Sequence, residues 1–168
     1  ATSACLAEHL LGRGGEFKDY AYIFVGAFVG GGLVLDGKIV WGRTGNAAAL
    51  GILPVFDENG HRLQLLDVAS LHVLESRLAN ADAKPGDLRQ LQADWSGFGD
   101  FVAPWIRDTG PYLAIAAASI ASVAEVEAVL VDGAMTTDIL ERLVGATEDH
   151  FARIDLSGVE RPTIELGS

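Results

Sequence analysis

Three consecutive glycines, Gly30-Gly31-Gly32, lie directly between two strand-like runs. Tyr20 to Val25 reads YAYIFV, aromatic and β-branched; Leu33-Val34-Leu35 is apolar and is followed by Asp36-Gly37, a strong hairpin signal before Lys38 to Trp41. The chain therefore opens with an antiparallel β-meander. Adjacent glycines there have two readings: a flexible turn, or a backbone that approaches a ligand closely and aims N–H groups at a phosphate. A Walker A ending in Lys-Ser/Thr is absent from the sequence.

The remaining pattern is mostly helical. Thr2 to Leu11 reads as a helix stopped by the glycines at 12, 14 and 15, Gly42 to Gly60 as a long connection, and Arg62 to Ala79 as one helix. Pro85-Gly86 breaks the chain and Asp87 caps a short helix to Ala93. A long apolar helix over about Phe98 to Val126, bent near Pro111, precedes a strand at Ala128 to Val131. A Thr-capped helix from Thr136 to Phe151 and a last strand, Thr163 to Leu166, follow. Meander first and alternating helix and strand afterwards predict an α/β fold, a mixed sheet with helices packed on it.

Charge narrows the function. With 12 Lys+Arg against 23 Asp+Glu the net charge is −11, which argues against this surface gripping nucleic acid. Cys5 is the only cysteine, so an intramolecular disulfide and any zinc site needing two thiolates are excluded, and a cytoplasmic setting is expected. The longest apolar stretch, Tyr112 to Val123, is too short to span a bilayer, so no membrane association is expected. Cys5 reads as a small buried helix residue, and His9, His72 and His150 as helix positions without a second ligand at i+4. Trp95 and Trp105, with Phe98 and Phe101 between them, read as core or as a dimer contact.

Two strings give a sharper expectation. Gly26-Ala27-Phe28-Val29-Gly30-Gly31-Gly32 followed by Leu33-Val34-Leu35-Asp36-Gly37, and Trp41-Gly42-Arg43-Thr44-Gly45-Asn46-Ala47-Ala48-Ala49-Leu50-Gly51-Ile52, together resemble the signature of the ROK family of bacterial sugar kinases and sugar-responsive transcriptional repressors. The resemblance implies a ribonuclease H-like, actin-like fold of the sugar kinase superfamily. It makes residues 1–168 a single lobe, the C-terminal half of a longer protein. The family's catalytic Asp would lie just upstream of Ala1, and the first lobe and any winged helix-turn-helix further upstream. DNA contact would come only through that separate N-terminal domain.

Departures from the family pattern carry the functional expectation. The resemblance assigns Gly26, Gly30, Gly31 and Gly32 to the phosphate loop, but the usual Thr and second Gly are Ala27 and Phe28, which argues against ATP binding. The Glu and His of the sugar motif are replaced by Ala49 and Ile52. The three-cysteine zinc loop is missing; His61, Asp57 and Glu58 read as a solvated turn or a poor substitute, and no metal or cofactor is expected. A further sugar-binding Glu aligns with Leu66; Asp67 either takes its place, turned about 100° around the helix, or is a plain exposed Asp. Asn46 is a possible sugar contact or an ordinary turn residue, and Asp132 stands where a Gly would let adenine pack. The expectation is an effector-sensing, oligomerising lobe of a transcriptional regulator, without kinase activity and with a sugar or sugar phosphate as effector. A divergent ATP-dependent sugar kinase and a purely structural dimerisation module are the alternatives.

Overall fold

The computed structural model describes residues 2–83, 88 and 94–168; the short helix read from Asp87 to Ala93 and the Pro85-Gly86 break lie outside them. Strand β1 (Tyr20–Val25) is the centre of a five-stranded mixed sheet, because its alternating side chains are apolar on both faces and nearly all buried. It pairs antiparallel with β2 (Val29–Leu35), which pairs with the short β3 (Lys38–Ile39). On its other side it runs parallel to β6 (Ala128–Gly133), and β6 runs parallel to β7 (Thr163–Leu166).

The two faces carry unequal cores. Ala21, Ile23, Val25, Val129, Val131 and Ile164 belong to the larger core, with α2 (Leu65–Ala69), α3 (Leu71–Asn80), α4 (Gly99–Ala121) and α5 (Thr137–Phe151). Tyr20, Tyr22, Val34, Ala128 and Leu130 meet Cys5 of α1 (Thr2–Leu11) on the opposite face. In α5 the expected apolar stripe is buried through Ile139, Leu140, Leu143, Val144 and Phe151. Thr136 stands at its N-cap position, but its hydroxyl makes no capping bond.

Three sequence expectations change. The glycines are not a turn: they lie within β2, opposite Ile23, Tyr22 and Phe24, and the turn is Gly26 to Phe28. Glycine is a poor strand residue, so packing decides its place here. An ideal Cβ on Gly31 would stand 2.5 Å from Leu50 Cδ1 and 2.9 Å from the Ala48 carbonyl, and one on Gly32 would collide with the Cys5 sulfur. The missing side chains let α1 and the Ala48–Leu50 segment close on opposite faces of the same strand.

Secondly, the helix expected from Arg62 starts later and is split. Residues 62–64 form β5 (Arg62–Gln64), antiparallel to β4 (Pro54–Phe56), inside the expected long connection. The Asp57 carboxylate accepts the backbone N–H groups of Asn59 (2.9 Å) and His61 (2.8 Å) and so closes that hairpin. Ser70 is extended between α2 and α3, its carbonyl accepting from Trp105 Nε1 at 3.3 Å. Thirdly, α4 runs through Pro104 and Pro111 and stops at Ala121, five residues before the expected end. The core reading of the aromatic group holds for Trp105, which is fully buried, and Trp95, 6% exposed, with Phe98 and Phe101 partly buried against the same core. Among the described residues no helix is long and apolar enough to cross a membrane.

Candidate functional site

A cavity of about 280 Å³ opens where β2, the loop after β3 and α2 converge. Its floor is Val29-Gly30-Gly31 of β2, its wall is Asn46 to Ala49 with Gly51 and Ile52, and Leu66 of α2 and Thr2 of α1 complete it. The wall is fixed by backbone bonds: Ala47 N–H donates to the Trp41 carbonyl (3.2 Å) and Leu50 N–H to the Ala48 carbonyl (2.7 Å). Ala48 is held at φ +54°, the left-handed region, which costs an L-residue about 1–2 kcal/mol. Such strain at a loop that lines a cavity is a frequent mark of a functional site.

The cavity gathers Gly30, Gly31, Asn46, Ala49, Ile52 and Leu66 from separate parts of the sequence, and separates them from the other candidates. Gly32 faces Cys5 instead. Gly26 is in the β1–β2 turn, where its N–H donates to the Phe28 carbonyl at 3.1 Å; Ala27 and Phe28 give this turn no side-chain donor, and the Phe28 ring is exposed. Asp67 lies on another surface of α2, where its carboxylate accepts the Gln64 N–H (3.0 Å) in a reciprocal capping box.

The charged groups sit elsewhere. Asp132 lines a separate cavity of about 250 Å³ beside α1, accepting the Tyr22 hydroxyl (2.6 Å) and the Gly133 N–H (2.6 Å). Burial raises its pKa above the ordinary carboxylate value, partly countered by those two donors, and the same burial raises that of Tyr22. Glu8, only 4% exposed, lines the same cavity and went unnoticed in the sequence, since nothing local marks it. Its carboxylate accepts the N–H groups of Arg13 (2.9 Å) and Ser168 (3.1 Å), while Arg13 binds the Leu166 carbonyl (2.9 Å) and Glu165 (2.7 Å). Together they fasten the end of α1 to β7. Thr2 and Ala48 also escaped notice, because only the folded chain brings helix α1 to the loop.

A metal does not fit the hairpin tip. His61 Nδ1 is 2.9 Å from Asp57 Oδ2, and that bond holds the Asp57 carboxyl below its usual pKa. No third ligand joins them: among the described residues no group of three His, Cys, Asp or Glu could hold an ion.

A mixed five-stranded sheet with helices on both faces, and a cavity beside its glycine-bearing second strand, has the actin-like, ribonuclease H-like fold. The sequence pattern of the ROK family matches residues 1–163, and the chain belongs to that family. Among solved structures it is similar to the ROK hexokinase of Thermus thermophilus, with 25% identity and a TM-score of 0.71, covering 100% of this chain and 58% of that one. It is also similar to a ROK family transcriptional regulator homologous to the E. coli MLC protein (22% identity, TM-score 0.75, 97% of this chain, 45% of that one). A Streptomyces griseus ROK glucokinase, solved with glucose and AMPPNP, is similar at 21% identity and a TM-score of 0.75 over 99% of this chain and 61% of its own. The chain thus spans about half the length of these relatives. Among curated proteins none matches.

Proposed function

We propose that this chain is the effector-sensing and oligomerising lobe of a ROK-type transcriptional regulator of carbohydrate metabolism, without phosphoryl-transfer chemistry. One observation carries the reading: the positions to which the resemblance assigns the family's sugar-binding Glu, His and second Glu are Ala49, Ile52 and Leu66, and the fold brings all three to one cavity. Phosphoryl transfer depends on holding the accepting hydroxyl in line with the transferred group, and these replacements remove three polar groups that would hold the sugar. Binding a sugar needs only shape and a few hydrogen-bonding groups, and Asn46, Thr2 and the glycine backbone supply those. The acidic surface of the lobe repels phosphate backbones, so DNA is contacted by a domain outside this chain. The β1–β2 turn, with Ala27 and Phe28, supports the absence of bound ATP, and the hairpin tip supports the absence of zinc.

The reading is tested by titration calorimetry on the intact protein with a panel of hexoses and with MgATP. Saturable heat is expected with a sugar and none with MgATP. Stoichiometric MgATP binding would overturn the proposal in favour of a kinase, and a stable homodimer with no sugar response would reduce the lobe to a dimerisation module.

A further inference from the structure

We propose that this chain pairs with a second copy of itself through the groove that the β4–β5 hairpin shares with α4; this rests on the oligomerising part of the reading above. The groove, about 780 Å³, is lined by the hairpin, α2, α3, α4 and the end of α5. Its apolar lining comes from both sides. Strand β4 alternates, turning Val55 into the core and Phe56 to solvent, so the Phe56 ring stands at the groove 59% exposed. Val68 of α2, Val73 of α3, and Tyr112 and Ile115 of α4 present hydrocarbon to the same space. An exposed aromatic ring beside an apolar groove is self-complementary: about a two-fold axis, the Phe56 of each copy enters the groove of the other.

Charge makes the occupant a second copy. On the hairpin and α2 the groove is bordered by Asp57, Glu58 and Asp67, with His61 Nδ1 2.9 Å from Asp57. On α3 and α4 it is bordered by Arg77 and Arg107, each 3.0 Å from the Asp108 carboxylate. Among the described lining residues, two guanidiniums on one carboxylate leave the helical wall positive, and three carboxylates leave the hairpin wall negative. A two-fold axis brings the acidic wall of each copy to the basic wall of the other, so both contacts of the pair are attractive. With a net charge of −11, two copies repel over most of their surface, and this groove is a face where opposite signs meet.

The test is sedimentation velocity of the intact protein over a range of concentrations, where the unaltered protein is expected to run as a dimer. Arg107→Glu and Glu58→Arg, both at exposed positions, each set like charges against one another at both contacts. Each is expected to weaken self-association by about tenfold or more, and Phe56→Ser to do the same by removing the ring. An equimolar mixture of the two charge variants is expected to regain the dimer, since each variant then meets the opposite sign at both contacts; that recovery also shows that both are folded. A dimer that these substitutions leave intact, or charge variants that stay apart when mixed, would overturn this inference and leave the oligomerising reading standing. An unaltered protein that sediments only as a monomer would overturn both.

Discussion

Replacing Gly32 with alanine separates a packing glycine from a ligand-binding one. The new Cβ would collide with the Cys5 sulfur and stand 2.5 Å from the Cys5 Cβ, while the Cys5 Cα is 3.9 Å away. Cys5 is fully buried within α1, so the helix must lift from β2 or the strand must shift. Overpacking of this kind costs about 1–3 kcal/mol, and exchanging glycine for alanine inside a strand returns roughly 0.5–1. The net loss is about 1–2 kcal/mol, or on the order of 2–8 °C in Tm for a chain of this size. Cys5→Gly alone destabilises through lost burial and about 1 kcal/mol of helix propensity. In the double variant the clash is gone, because residue 32 then meets only the Cα at ordinary contact distance. The double variant should therefore be no less stable than Cys5→Gly alone, with a coupling of about 1–2 kcal/mol in urea or thermal unfolding followed by circular dichroism. Additive losses, or an unperturbed Gly32→Ala, would refute the close-approach account.

Other perturbations have defined signs. The Asp132 carboxyl has a raised folded-state pKa, so its contribution is fully present below the unfolded value of 3.8 and is lost as pH rises through the folded one. Asp132→Asn should flatten that part of the stability–pH curve, and an unchanged curve would contradict the burial argument. Ala48→Gly relieves a left-handed residue at φ +54° but loosens the unfolded chain; the balance of about 1–2 against 0.4–1 kcal/mol predicts a small rise in Tm. The Cys5 thiol is fully buried with its pKa pushed up to about 11, so a disulfide reagent should label it only as fast as the fold opens.

How much could be read from residues alone varied with the range of the interactions involved. Strands β1, β6 and β7 and helix α5 stand at their expected places, since each carries its own apolar pattern in consecutive residues. The glycines of β2 misled because their reason is tertiary: two other segments lie against them. The β4–β5 hairpin was hidden across the end of an apparent connection and the start of an apparent helix because its strands are three residues each and mostly exposed. The helical pattern ran through Ser70, whose extended backbone is supported by Trp105 from α4, a contact with no local trace. At the site, the family-like strings hold Asn46, Ala49 and Ile52, the resemblance adds Leu66, and the fold brings the four to one cavity. Asp67 is exposed and caps α2 through the Gln64 N–H, away from this cavity, a role set by folding that its sequence position leaves open. Glu8 was silent because its donors, Arg13 and Ser168, include one at the far end of the chain.

The central claim is that this lobe binds without catalysing. It is tested most directly by a rapid-quench single-turnover assay of the intact protein with radiolabelled MgATP and a hexose panel. The account predicts no phosphorylated sugar above the enzyme-free control. Transfer of one phosphoryl group per active site to any of these sugars would contradict it.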